Sequence, residues 1–162
     1  MQKTILIPTD FTVESLVAVK EAISYNEGNN LNIILLYSCF LTDSISELLF
    51  YSPEKIIREQ SSKNFHEALS IIQNRFSEQI NSISIEVFHG YSARAVEAFI
   101  EKNKIDHVYF SKNYSVNEDK NLFDIKPFIK KSKVEFTELI NSNENKVFSK
   151  NDTLINLFNA FN

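Results

Sequence analysis

The residues able to carry chemistry are few, and their spacing assigns most of them to structure. Three histidines, His66, His89 and His107, fall in three separate segments. None pairs with another at i, i+4 beside a third ligand, so spacing makes no zinc site. The one cysteine, Cys39, follows an apolar run and reads as a small buried hydrophobe. Asp10 sits in the turn after the first apolar run, where a carboxylate can cap the turn or the helix that follows. Glu14, Glu97 and Glu101 read as helix surface charges. Lys126, Lys130, Lys131 and Lys133 read as a solvated face near a helix C-terminus, a favourable place for cations. Glu135 and Glu138 follow them directly, which argues against a nucleic-acid patch. No Ser-His-Asp spacing, paired-carboxylate signature or dinucleotide fingerprint occurs.

The chain has 162 residues, the length of one domain, with fourteen Phe and many Ile and Leu to fill a core. Its formal charge of −4 gives no pull toward nucleic acid or an anionic membrane. A single cysteine excludes an internal disulfide and points to a reducing compartment. No signal peptide is visible, and no apolar stretch reaches the roughly 18 residues of a membrane span. The expectation is a soluble cytoplasmic protein that binds neither nucleic acid nor membrane.

The elements that must position these residues begin with Thr4–Ile7, a continuous apolar run that reads as a strand buried on both faces. Pro8 ends it, and Thr12 is placed as N-cap of a helix carrying Leu16, Val19, Ala22 and Ile23. Gly28 closes that region, helped by Asn26 and Asn29. Leu31–Ser38 is a second, central strand. Residues 39–52 form a connection in which Ser46–Tyr51 makes one helical turn. A long helix is expected over Glu54–Gln79, with Ile56, Ile57, Phe65, Ala68, Leu69, Ile72 and Phe76 inward. Ser84–His89 is a third strand. Ser92 then caps a helix that ends near Asn103, and Asp106–Ser111 is a fourth strand. Leu122–Lys131 reads as a helix with a late start or a kink at Pro127. Val134–Leu139 alternates like an edge strand. Residues 141–151 are a polar link. Asp152–Phe161 carries Leu154, Ile155, Leu157, Phe158 and Phe161 on one helical face and must dock somewhere, because ten residues are marginal as an isolated helix. The alternation of strands and helices argues an open parallel α/β sheet over residues 1–140, followed by a helical tail at 141–162.

The order and spacing of several of these segments resemble the universal stress protein family. The resemblance rests on Ile5-Leu6-Ile7-Pro8-Thr9-Asp10-Phe11-Thr12, then Leu35-Leu36-Tyr37-Ser38, then Val87-Phe88-His89-Gly90 and Ile105-Asp106-His107-Val108-Tyr109-Phe110-Ser111. It covers roughly residues 3–112. It implies a five-stranded, mostly parallel Rossmann-like sheet of the adenine nucleotide alpha hydrolase-like type, with strand order 3-2-1-4-5 and helices on both faces. It also implies a nucleotide crevice at Pro8, Thr9, Asp10 and Ser38, with Ser111 and Lys112 at the end of the fourth strand. That place is the switch point of such a sheet. Asp10 would accept from ribose hydroxyls, and backbone groups near Ser38 would read an adenine edge.

The chain departs from the family pattern in the phosphate half of that crevice. Nucleotide-binding members carry Gly-x-x-Gly and then Gly-Ser or Gly-Thr after the fourth strand. This sequence has no glycine after Gly90, and residues 111–119 read Ser-Lys-Asn-Tyr-Ser-Val-Asn-Glu-Asp. Side chains there obstruct close approach of backbone amides to phosphate, and Glu118 and Asp119 repel it. The expectation is therefore a stress-response, non-enzymatic domain with a degenerate ATP site and no cofactor. It would act as a homodimer through Val134, Phe136 and Leu139 on its edge strand, or through an unidentified protein partner. The alternative is a sensor that retains AMP, ADP or ATP, with or without Mg, using Lys112 as the cation.

Overall fold

In the computed structural model, whose described residues are 1–112, 114–116 and 121–139, the first apolar run is the middle strand of a sheet. β1 (Gln2–Pro8) pairs in parallel with β2 (Asn30–Ser38) on one side and with β4 (His107–Ser111) on the other. β3 (Ile80–Phe88) lies outside β2, and β5 (Glu135–Leu139) lies outside β4. The order is β3-β2-β1-β4-β5, parallel throughout, as the resemblance implied.

Two apolar layers cover the sheet. One packs Ile5, Ile7, Leu31, Ile33, Leu35 and Tyr37 against α1 (Ser15–Tyr25) and α4 (Lys63–Arg75). The other packs Leu6, Ile34, Leu36, Val108 and Phe110 against α5 (Ala93–Asn103) and α6 (Lys126–Lys131). α2 (Ile45–Leu49) and α3 (Pro53–Gln60) bridge β2 to α4, and neither has a buried residue. Among the described residues no helix is long and apolar enough to cross a membrane.

Several elements differ from their sequence reading. The long helix expected over Glu54–Gln79 is two helices, α3 and α4. Ser61 turns its hydroxyl back onto the Ile57 carbonyl, and Ser62 adopts extended backbone and caps α4 through Phe65 N–H at 3.1 Å. Serines of this kind offer the backbone an alternative to helix. β3 starts at Ile80 rather than Ser84, although Ile83, Ile85 and Val87 share one face as expected. Thr12 is not the N-cap of α1, which begins at Ser15 after Glu14. Its hydroxyl instead accepts from Ser15 N–H at 3.3 Å in the turn before the helix. α1 ends at Asn26, a buried side chain that donates to Ala22 O at 2.7 Å and to the Tyr109 hydroxyl at 2.9 Å. Gly28 follows with φ of 82°, a left-handed position suited to glycine. The late helix start at Pro127 is observed, since α6 begins at Lys126. Lys126 is therefore at the start of that helix and not on a C-terminal cationic face; it reaches Glu138 at 3.0 Å. The expected helix at Asp152–Phe161 and the link at 141–151 lie outside the described residues.

Candidate functional site

The six residues singled out for a crevice all lie at the carboxyl edge of the sheet. Pro8 ends β1, Ser38 ends β2 and Ser111 ends β4, with Thr9, Asp10 and Lys112 just beyond. The sheet brings these positions to one place because all its strands run the same way.

The first turn is closed by its own hydrogen bonds. Thr9 N–H continues the ladder to Leu36 O at 2.9 Å. The Thr9 hydroxyl accepts from Phe11 N–H at 3.1 Å. It lies 2.8 Å from the Ser15 hydroxyl, whose own proton goes to Thr12 O at 2.7 Å, so Thr9 donates and Ser15 accepts. Asp10 Oδ1 accepts from Thr12 N–H at 2.9 Å and from the Thr12 hydroxyl at 2.6 Å. Asp10 thus caps its own turn.

Phe11, the next residue, holds φ of 62°. A left-handed conformation costs a residue with a Cβ roughly 1–2 kcal/mol. The ring compensates. It stacks on Tyr37 at 4.4 Å between centroids and meets Phe65 edge-on at 5.3 Å. Burial pushes the Tyr37 phenol up to about 12, and the nearby Cys39 and Asp10 add to the rise.

At the end of β2 the backbone is occupied by the chain itself. Ser38 O accepts from Phe123 N–H at 3.1 Å, and Cys39 N–H donates to Phe88 O at 3.0 Å. Phe40 N–H donates to Asn121 O at 2.9 Å, and the Asn121 amide returns to Phe40 O at 3.1 Å. Residues 121–123 therefore cross the end of β2, with Cys39 and Leu122 in an antiparallel bridge. Phe123 is buried among Phe40, Phe88 and Tyr91. The Ser38 hydroxyl is buried without a hydrogen-bond partner among the described residues.

At the end of β4, Ser111 O accepts from Tyr114 N–H at 2.9 Å, and Lys112 is exposed. Tyr114 packs on Phe110 at 5.5 Å, and Val116 packs against the opposite layer. Burial pushes the Tyr114 phenol above its ordinary range, and the charges of Asp124 and Asp10 raise it further.

Sequence reading missed the roof of this crevice: Asn121, Leu122, Phe123 and Tyr114. The available signal was Asn121, which holds φ of 57°, because asparagine tolerates that region better than most residues.

A concavity of about 350 Å³ opens between α2, α3 and the ends of β2 and β3. Tyr37, Phe40, Phe50, Tyr51, Ile56 and His89 help line it. His89 Nδ1 lies 2.8 Å from Cys39 O and 3.6 Å from Cys39 Sγ. A carbonyl only accepts, so Nδ1 carries the proton. Nε2 then accepts from the Tyr51 hydroxyl at 2.5 Å. His89 is committed to structure and is no base for the thiol. Burial raises the Cys39 thiol to about 11, which suits a core residue and not a nucleophile. Among the described residues no group of three or more His, Cys, Asp or Glu is arranged to hold a metal ion.

The expected edge strand is present, but its face is divided. Phe136 is 37% exposed, whereas Leu139 is fully buried in the layer under α1. Period-two alternation puts Phe136 and Leu139 on opposite faces, so Leu139 is a core residue and not a surface contact. Val134 precedes β5 and is half-buried. Glu138 on the exposed face receives Lys126 at 3.0 Å and Lys130 at 3.7 Å.

Residues 1–112 match the model of the universal stress protein family. The chain belongs to that family. Among solved structures it is similar to a universal stress protein, UspA, from Lactobacillus plantarum. That similarity has a TM-score of 0.57 and 11% identity, covering 85% of this chain and 97% of the other. It is also similar to a universal stress protein in complex with cAMP, with a TM-score of 0.50 and 17% identity over 86% of this chain and 98% of the other. At these identities the likeness is one of fold. No curated protein matches this universal stress protein.

Proposed function

We propose that this universal stress protein acts by association, with itself or with a protein partner, and not as an enzyme. Its nucleotide crevice is degenerate. The observation that carries this reading is the hydrogen bond from Phe123 N–H to Ser38 O. An adenine edge needs a backbone acceptor and donor at the end of the second strand. Here the Ser38 carbonyl and the Cys39 N–H are both already engaged. Asp10, the group for ribose hydroxyls, has its Oδ1 engaged by Thr12 N–H and hydroxyl. The missing glycines remove the phosphate cradle. The residues present do not fit a nucleoside triphosphate.

The sensor reading keeps one point in its favour: the buried, unpartnered Ser38 hydroxyl, a group that gains from any polar ligand. A relative is in complex with cAMP, so cyclic nucleotide belongs among the probes.

Calorimetric titration with Mg-ATP, ADP, AMP and cAMP decides between the two. The expected result is no binding heat and no thermal shift. A micromolar constant, about −8 kcal/mol, would overturn the reading. Asp10→Ala is expected to lower stability by about 1 kcal/mol through the lost turn cap, while leaving the titration unchanged. On the sensor reading the same variant abolishes binding.

Association is expected at the outer edge of β5, which pairs with no further strand among the described residues and carries the half-exposed Phe136 ring. Light scattering should give the mass of a dimer, and Phe136→Asp should shift it to a monomer. A wild-type monomer at tens of micromolar would remove self-association and leave only the partner.

A further inference from the structure

The connection between β2 and α3 leaves its apolar side chains uncovered. Ile45, Leu49 and Phe50 are each 76% exposed, and Phe40, Leu41 and Leu48 are 41–47% exposed. Single exposed hydrophobics are ordinary, but six within eleven residues make a patch that signals an interaction. The patch borders the 350 Å³ concavity, which Phe40, Leu41 and Phe50 also line. Elsewhere in the described chain the large exposed apolar residues, such as Met1, Tyr25, Tyr91 and Phe136, are separated in sequence.

We propose that this surface is the docking site for residues 152–161 of the same chain. Three observations select that occupant. The first is position. β2 and β5 are parallel members of one sheet, so Ser38 and Leu139 both emerge at its carboxyl edge. Three strand spacings separate β2 from β5, about 14 Å. The twelve residues from 140 to 151 can span roughly 40 Å when extended. Reach is therefore ample, even for a path around the edge.

The second is apolar pattern. Leu154, Ile155, Leu157, Phe158 and Phe161 fall on one face at helical spacing. A ten-residue segment gains helix only by burying such a face. The patch offers rings and branched side chains of the same kind.

The third is charge. Asp43, Glu47 and Glu54 flank the patch in sequence, and Lys55 is paired with Glu59 at 3.9 Å, so the rim is acidic. Residues 152–161 carry one charged side chain, Asp152 at their start, and the link before them carries Glu144, Lys146 and Lys150, a net charge of +1. An apolar face at residues 154–161 with no charge of its own, on a link of net charge +1, meets little repulsion at an acidic rim, whereas an anionic lipid surface would be repelled by it.

Hydrogen–deuterium exchange on the full-length protein tests the proposal. α2 is a single short turn, and uncovered its amides should exchange quickly. The expected result is at least tenfold slower exchange over residues 45–51 in the wild type than in a Leu154→Asp, Phe158→Asp variant. A synthetic peptide of residues 152–162 should restore the protection to that variant in trans. Equal exchange in wild type and variant would overturn the proposal. So would protection that fades on hundredfold dilution as the mass by light scattering falls, because the cover is then a second copy. The outcome is independent of the nucleotide titration, which reads the crevice and not α2.

Discussion

Phe65→Ala should lower the free energy of unfolding by about 3–5 kcal/mol, the loss typical of a fully buried aromatic ring. In a domain whose total stability is about 5–15 kcal/mol, that is about a fifth of it or more. The melting temperature should fall by about 10 °C. The reason is local as well as general. Phe65 meets the Phe11 ring edge-on, and Phe11 stacks on Tyr37. These contacts hold Phe11 at φ of 62°. Removing Phe65 takes away one wall of the ring's site while the backbone cost remains. Calorimetric melting reads the global loss, and amide exchange should show residues 9–13 opening more than the rest of β1. Phe65→Leu should retain much of the stability. A loss below about 1 kcal/mol for the alanine variant would mean that the Phe11 turn is held by its hydrogen bonds alone.

Gly90→Ala should cost about 1–3 kcal/mol by overpacking. A Cβ at position 90 would lie 2.5 Å from the Ala95 Cβ and 2.7 Å from Phe88 Cζ. The Phe88 ring end can move, but Ala95 is fixed in the first turn of α5, beside the N–H that Ser92 caps at 3.1 Å. The clash therefore pushes the turn between β3 and α5. It also pushes Phe88 against Phe99 and Phe123. The double variant Gly90→Ala, Ala95→Gly removes the shorter contact and should recover part of the loss, less the helix penalty of the new glycine. Denaturant melts of the three proteins would measure it; no recovery would place the strain at Phe88 instead.

What could be read from residues alone was whatever repeats locally. The apolar runs at 4–7 and 31–38 and the segment 106–111 announce strands, and Ser92 before Ala95, Val96 and Phe99 announces α5. The strand order followed from the family resemblance and the structure bears it out. The split between α3 and α4 was hidden because Ser61 and Ser62 interrupt an apolar pattern whose phase still looks helical across them. Leu139 stands three residues from Phe136, so strand alternation puts it on the other face; which of the two faces is covered became clear only from its burial under α1. The crevice positions were legible as positions. Their hydrogen-bond partners were not, since Phe123 meets Ser38 across more than eighty residues of chain. The left-handed turn at Phe11 has no local signature, because tertiary ring packing sustains it.

The thiol at the end of β2 makes the protein its own reporter. With Cys39 raised to about 11, about one molecule in ten thousand carries thiolate at pH 7 while the site stays shut. Alkylation of the native protein is then gated by opening of the concavity that Cys39 lines beside His89 and Tyr51. With a single cysteine in the chain, each labelling event marks one such opening. The rate of loss of free thiol becomes a clock for how often the wall of that concavity opens, without any introduced probe.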